Sequence, residues 1–277
     1  MRNMLLATMP LGGGAAPAWD PATDDLSLWL RTDSVTGTTS TLSWASKASA
    51  GSSGSAAAMV HSTSYGDTVE QPSTSLDGFA SVLWTGAYPA LETANLTRTL
   101  LGAGDSTPAS YTAAYVMQPV ASNQCVLDGG GKVDVGNPCV FADLYGNLAH
   151  VIMSDAGTCK VGVHHRNEDT ATGGGSSPAT WPGGFGAWGL MWVSYTSGGN
   201  VRVRVNGTNL TDETIVTNQG PSGTDAAGWM GSLGGGAAVP EFRLVEMMLW
   251  PGQALTGTSL TDREAGYFAT RYPSLGL

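Results

Sequence analysis

The side chains able to do chemistry in this chain are few. Glu241 and Glu246 flank the apolar run that begins at Phe242 and ends at Trp250. Retaining glycoside hydrolysis needs two carboxyl groups about 5–5.5 Å apart, one as nucleophile and one as acid/base. A spacing of five along a strand puts these two on opposite faces. Glu246 therefore reads as a structural acid, buried against a partner such as Arg243 or Arg271. His164-His165 invites an acid–base or metal reading, but neighbours on a strand point apart, and with Asp169 nearby no third ligand closes a site. One packed and one exposed histidine is the expectation. Ser194 lacks the Gly-x-Ser-x-Gly turn of a hydrolase nucleophile. Cys125, Cys139 and Cys159 show no Cys-x-x-Cys zinc spacing. Cys125 and Cys139 can pair across a loop, or all three stay reduced and buried.

The aromatic residues carry a second kind of chemistry, because an aromatic ring stacks on the apolar face of a pyranose. Trp29, Trp84, Trp188, Trp192 and Trp250 lie in alternating segments and are expected in the core. Tyr88 before Pro89, Trp181 before Pro182, and Trp229 lie in loop-like segments and are the expected glycan platform residues.

Antiparallel strands must position these groups. Val201-Arg202-Val203-Arg204-Val205 puts three valines on one face and two arginines on the other. Asn206-Gly207 then supplies the positive-φ pair of a tight hairpin. The same pattern recurs at Leu26 to Arg31, Leu42 to Trp44, Gly78 to Trp84, Tyr111 to Met117, Leu148 to Met153, Lys160 to His164 and Trp188 to Tyr195. Phe242 to Trp250 is the last long strand, with Phe242, Leu244, Met248 and Trp250 expected inward. Thr261-Asp262-Arg263-Glu264 fits a capping box, with Leu260 and Ala265 as its staple. It predicts a helix of two to three turns carrying Ala265, Tyr267 and Phe268, and stopping before Pro273. No internal repeat and no second domain boundary is visible.

Composition limits the function classes. Of 277 residues, 42% are hydrophobic and only 12% charged, so the surface must lean on Ser, Thr, Asn and Gly. The 39 glycines and 14 prolines make about a fifth of the chain, below the roughly 25–30% that signals low-complexity disorder. A net charge of −10 argues against nucleic acid, which needs a basic stripe. Nothing approaches the ~20 apolar residues of a membrane span. The run Met4 to Leu11 is short and broken by Pro10, and reads as an extended arm. Residues 1–18 form that arm, with Leu5, Leu6, Met9 and Leu11 as its assembly contacts, and residues 19–277 form one domain.

Strands at this spacing with one terminal helix predict an all-β, two-sheet antiparallel sandwich. Four blocks then resemble the concanavalin A-like (laminin G-like) jelly-roll domains of bacteriophage virion and bacterial surface proteins. They are Leu28-Trp29-Leu30 with Trp44; Gly78-x3-Val82-x-Trp84-x-Gly86 running to Leu91; Trp188-x6-Tyr195 through Asn206-Gly207; and Phe242-x3-Glu246-x3-Trp250 leading to Leu255, Tyr267 and Arg271-Tyr272. The resemblance covers residues 20–275. The retaining glucanases of that superfamily carry Glu-x-Asp-x-x-Glu, which this chain lacks, so no enzyme is expected. Related lectin-like domains often hold a calcium ion, and Ca2+ is the cofactor the resemblance allows. Asp67, Asp77, Asp128, Asp134 and Asp143 sit in loop-like segments, and none forms the Asp-x-Asp-x-Asp run that would assign a ligand.

The resemblance implies a non-enzymatic structural protein of a bacteriophage particle, a capsid decoration or a tail- or fibre-associated protein. Its sandwich would face outward, and its arm would dock to other virion proteins. A homo-oligomer is expected, assembled in the host cytoplasm and displayed on the virion surface. The alternative is a glycan-binding adhesion module that attaches to host or environmental polysaccharide.

Overall fold

The computed structural model describes residues 19–37, 41–48, 58–61, 69–70, 75–85, 90–92, 110–122, 127, 129–133, 139–143, 148–165, 174–215, 229–231 and 240–277. The fold is mostly β, with antiparallel sheets in a sandwich and one short C-terminal helix.

Period-two patterning fixes the front sheet. Its strands run in the order Thr208–Thr214, Asn200–Val205, Gly189–Thr196, Tyr111–Ala121, Glu241–Pro251, Leu28–Thr36 and Ser43–Ser46. The back sheet runs Ala58–His61, Ala90–Glu92, Trp229–Gly231, Val140–Asp143, Leu148–Asp155, Thr158–His165 and Ala179–Thr180. The two join at one corner, where Ser43–Ser46 pairs with Ala58–His61. The Asn206-Gly207 hairpin forms as expected, with φ of 44° and 75° at the two turn residues.

The front sheet is apolar on both faces. Toward the back sheet it presents Tyr115, Met191, Val203, Phe242 and Leu249. Its opposite face presents Val116, Leu190, Trp192, Met248 and Trp250 to Leu260, Phe268 and Leu275 of the C-terminal segment. The front sheet is therefore a middle layer. Behind the back sheet, Val133 and Cys139 cover Val151 and Met153.

Two expectations about these elements are corrected. A register shift between Leu244 and Glu246 flips the strand, so Met247 and Leu249 face the inter-sheet core while Met248 and Trp250 face the helix. A bulge inserts one residue and inverts the alternation beyond it. The capping box at Thr261 does not form either. The helix begins four residues earlier, at Thr258–Arg263 with Gly257 (φ 55°) as its N-cap, passes through a π-helical turn Glu264–Phe268, and ends in Ala269–Arg271 before Pro273. The Thr261 hydroxyl bonds back to the Gly257 and Thr258 carbonyls, and Glu264 pairs with Arg204 instead.

Candidate functional site

Two buried polar clusters account for the most perturbed titratable groups, and both hold the fold together. Glu246 is buried and accepts from Trp29 Nε1, from the Tyr267 hydroxyl at 2.7 Å and from the Tyr272 hydroxyl, with Arg271 Nε at 3.5 Å. Burial raises its carboxyl above the usual range, and these donors and the guanidinium only partly offset that. The sequence reading of a structural acid holds, with Arg271 rather than Arg243 as partner. Glu241 accepts from Thr85 Oγ1. Register shifts on both sides of Leu244 break the alternation that set the two glutamates on opposite faces. Their environments separate them instead.

His150 forms the second cluster. It is fully buried between the sheets, with the Tyr111 hydroxyl 3.0 Å from Nε2 and the Tyr115 hydroxyl 2.7 Å from Nδ1. Desolvation pushes its pKa down to about 3, so it is neutral at physiological pH. The alternating pattern marked its strand as buried, and nothing marked the histidine for two phenols on a different strand.

The residues expected to bind or assemble fall in different places. Leu5, Leu6, Met9, Leu11 and Tyr88 lie outside the described residues. Trp229 sits in a back-sheet strand, its backbone paired with Asp143 on one side and Glu92 on the other. Trp181 is corrected from a loop platform to a core residue with 1% exposure. Its indole Nε1 donates to the Ala187 carbonyl at 3.1 Å, and its amide donates to Cys159. Of the calcium candidates, Asp77 is taken up by the Ser274 amide and hydroxyl. Asp67, Asp128 and Asp134 lie outside the described residues, and Asp143 is described by its backbone pairing alone. Among the described residues no group of three His, Cys, Asp or Glu converges as a metal site. His164 is buried, as one of the two histidines was expected to be. Cys139 is disulfide-bonded and Cys159 is a free, buried thiol. All three cysteines reduced is therefore excluded, and the partner of Cys139 lies outside the described residues.

With Trp181 as its anchor, the segment 181–188 crosses one end of the sandwich from the back sheet to the front. Gly186 donates to the Pro119 carbonyl, and Gln118 Nε2 donates to the Gly186 carbonyl at 2.6 Å. This fastening sets Trp188 at the start of strand Gly189–Thr196. Gly189 is registered with Met117, so Trp188 falls beside Gln118, and Gln118 is registered with Arg243. Arg243 in turn faces Leu83. Trp188, Gln118, Arg243 and Leu83 thus form one row across four adjacent strands, on the helix side of the front sheet, with Trp188 packed against the helix-side cluster. All four are part-buried.

Arg243 is distinctive in this row. Nine Lys and Arg residues fall among the described residues, and eight stand in ion pairs with Asp or Glu. Arg243 alone does not. An aromatic ring, a fixed amide and an uncompensated guanidinium make a shallow surface suited to polar ligands with one apolar face. The sequence carried a signal for this row in the outward parity of Arg243 between Phe242 and Leu244. The core expectation for Trp188 holds in part, since it packs against the helix-side cluster but is only part-buried.

No protein-family model matches this chain, and no curated protein matches it. Among solved structures, the chain is similar to domain 4 of an extracellular GH43 arabinanase from Geobacillus stearothermophilus, solved with arabinotriose. That likeness has 15% identity and a TM-score of 0.50, over 86% of this chain and 98% of that one. It is also similar to a Trypanosoma rangeli sialidase, at 13% identity and a TM-score of 0.52, over 95% of this chain and 35% of that one. The binding domain of paraclostridial mosquitocidal protein 1 aligns at 10% identity and a TM-score of 0.47, over 85% of this chain. The chain spans 52% of that domain's length. At these identities the likeness is one of fold alone, an antiparallel β-sandwich.

Proposed function

We propose that this chain is a non-catalytic, lectin-like module that attaches to polysaccharide through the Trp188–Gln118–Arg243 row. One observation carries the reading. Among the described residues the outer faces of both sheets are covered, the front sheet by the helix layer and the back sheet by Val133 and Cys139, and the part-buried row holds the one cation without a carboxylate partner. Trp188 offers a ring face for a pyranose, and Gln118 is held in place to bond hydroxyls. The arabinanase domain solved with a sugar supports the reading by its fold. A glycan array probed with the full chain and with Trp188→Ala tests it. The expected result is binding to a defined glycan class that the substitution weakens ten-fold or more. Binding that Trp188→Ala leaves unchanged would remove the row from the account.

The finer reading is that the module is displayed on a bacteriophage particle, with residues 1–18 docking it to other virion proteins. The position of Trp19 favours it. Where that segment joins the sandwich, Trp19 packs on Trp250 and Tyr267, at the far end of the same sheet face from Arg243. Docking at one end would leave the row presented at the other. Deleting residues 1–18 is expected to leave a folded sandwich that no longer joins its particle. Full incorporation of the truncated protein would overturn this part.

A further inference from the structure

We infer that the glycan taken by this row is acidic, with Arg243 binding a sugar carboxylate while Trp188 stacks on the ring that carries it. The inference rests on the glycan-binding reading and adds the ligand's charge. The argument starts from what an unpaired guanidinium costs. Arg243 is part-buried and always protonated, so it has lost some hydration without gaining a counter-charge. In a chain of net charge −10, carboxylates are abundant, and every other described cation has acquired one. The carboxylates nearest Arg243 on its own strand are committed elsewhere, Glu241 to Thr85 and Glu246 to Tyr267, Tyr272 and Arg271. Arg243 is thus an open position for an anion from outside.

The geometry selects a planar anion next to an apolar ring. A guanidinium presents parallel N–H groups that match a carboxylate two at a time. Gln118 lies between Arg243 and Trp188 in the row, oriented by its bond to Gly186, and can bond the hydroxyls flanking the carboxylate. Neighbouring strands stand about 4.8 Å apart, so Trp188 and Arg243, on either side of Gln118, are about 9.6 Å apart at the backbone, a gap that the long Arg243 side chain and a stacked sugar can bridge together. A uronate or sialate residue fits this order of groups.

The protein's net negative charge opposes such a ligand at long range. That repulsion decays over a Debye length of about 8 Å at physiological ionic strength, whereas the Arg243 contact acts at hydrogen-bond distance. The local pair therefore decides binding. Single-site affinity on so shallow a surface is low, and a repeating acidic polymer raises it by presenting many sites.

The test is an array of polygalacturonate, polyglucuronate and polysialate, each beside its carboxyl-methylated form. It is probed with the full chain, Arg243→Gln and Arg243→Lys, and thermal melting shows that each variant is folded. The expected result is binding to at least one free-acid polymer, at least ten-fold weaker for its methylated form and for Arg243→Gln, and partly restored by Arg243→Lys. Added salt should weaken it. Equal binding of acid and methylated forms overturns the inference and leaves the glycan reading standing. Acid-selective binding that is unchanged in Arg243→Gln overturns the assignment to this row. Failure to bind any polymer here, with neutral glycans bound on the wider array, also overturns the inference alone. Failure on both sinks the glycan reading and the inference with it.

Discussion

Trp181 lies directly beneath Gly189. A Cβ built on Gly189 would sit 2.5 Å from Trp181 Cζ2, closer than any side chain tolerates, so the absence of a side chain at 189 lets the indole pass under the strand. The strand that carries Trp188 is laid over the anchor of its own preceding loop.

The replacement Gly189→Ala should therefore destabilise the protein by about 1–3 kcal/mol through overpacking and displace the rim. Trp181→Ala should cost about 3–5 kcal/mol by leaving a cavity. Urea denaturation followed by tryptophan fluorescence measures both. A Gly189→Ala protein as stable as the parent would mean that the loop gives way freely.

His150 predicts an acid-sensitive fold. Its folded pKa of about 3 lies below its unfolded value of 6.5, so the unfolded chain holds the extra proton between those limits. Stability from this group is complete above pH 6.5 and is lost as pH falls toward 3, by up to about 1.4 kcal/mol per pH unit. Melting temperature against pH should show this fall, and His150→Gln, though less stable overall, should flatten it. An unchanged slope in His150→Gln would place the acid sensitivity elsewhere.

Asp24 ties the N-terminal segment to the helix. Its Oδ2 accepts from Trp19 Nε1, Trp250 Nε1 and two nitrogens of Arg263. Burial works to raise its pKa, and the Trp250 and Arg263 bonds outweigh burial and hold it low. Asp24→Ala strands two indole N–H groups and a guanidinium. The expected cost is about 1–3 kcal/mol, with faster amide exchange along Thr258–Arg263. Unchanged exchange there would show that apolar packing alone seats the helix.

The thiols give a chemical count. With Cys139 in a disulfide and burial pushing the Cys159 thiol up to about 12, the native protein should be inert to a thiol reagent. The unfolded, unreduced chain should react once. Cys139→Ser should lower stability by about 2–4 kcal/mol, because it releases the cover on the back sheet. Rapid reaction of the native chain would contradict this arrangement.

Alternation made the strands legible, because an apolar face every second residue is written directly in Val201 to Val205 and Tyr111 to Met117. Alternation also failed where a bulge inserts a residue, and so Met248 and Trp250 were placed on the wrong face. The helix start was misread because Thr261 and Glu264 have the spacing of a capping box, while tertiary partners decide what they do. Arg204 claims Glu264, and Gly257 supplies the earlier start. Glu246 was legible as a buried structural acid, but the sequence left Arg243 and Arg271 both open as its partner, and only the fold selects Arg271. The row at Trp188, Gln118 and Arg243 was not, since its members lie 55 positions apart between Trp188 and Arg243 and only strand register brings them together.

That register also sets how the molecule bears a pull. Trp19 and Asp24 are fastened beside Trp250, while Arg243 stands seven residues away on the same strand, roughly 23 Å along its axis. Tension between residue 19 and a ligand held at Arg243 would run parallel to the central strands. The cross-strand hydrogen bonds joining Glu241–Pro251 to its neighbours would then be loaded in shear, all at once rather than one after another. An attachment wired this way resists drag better than one pulled open from a sheet edge.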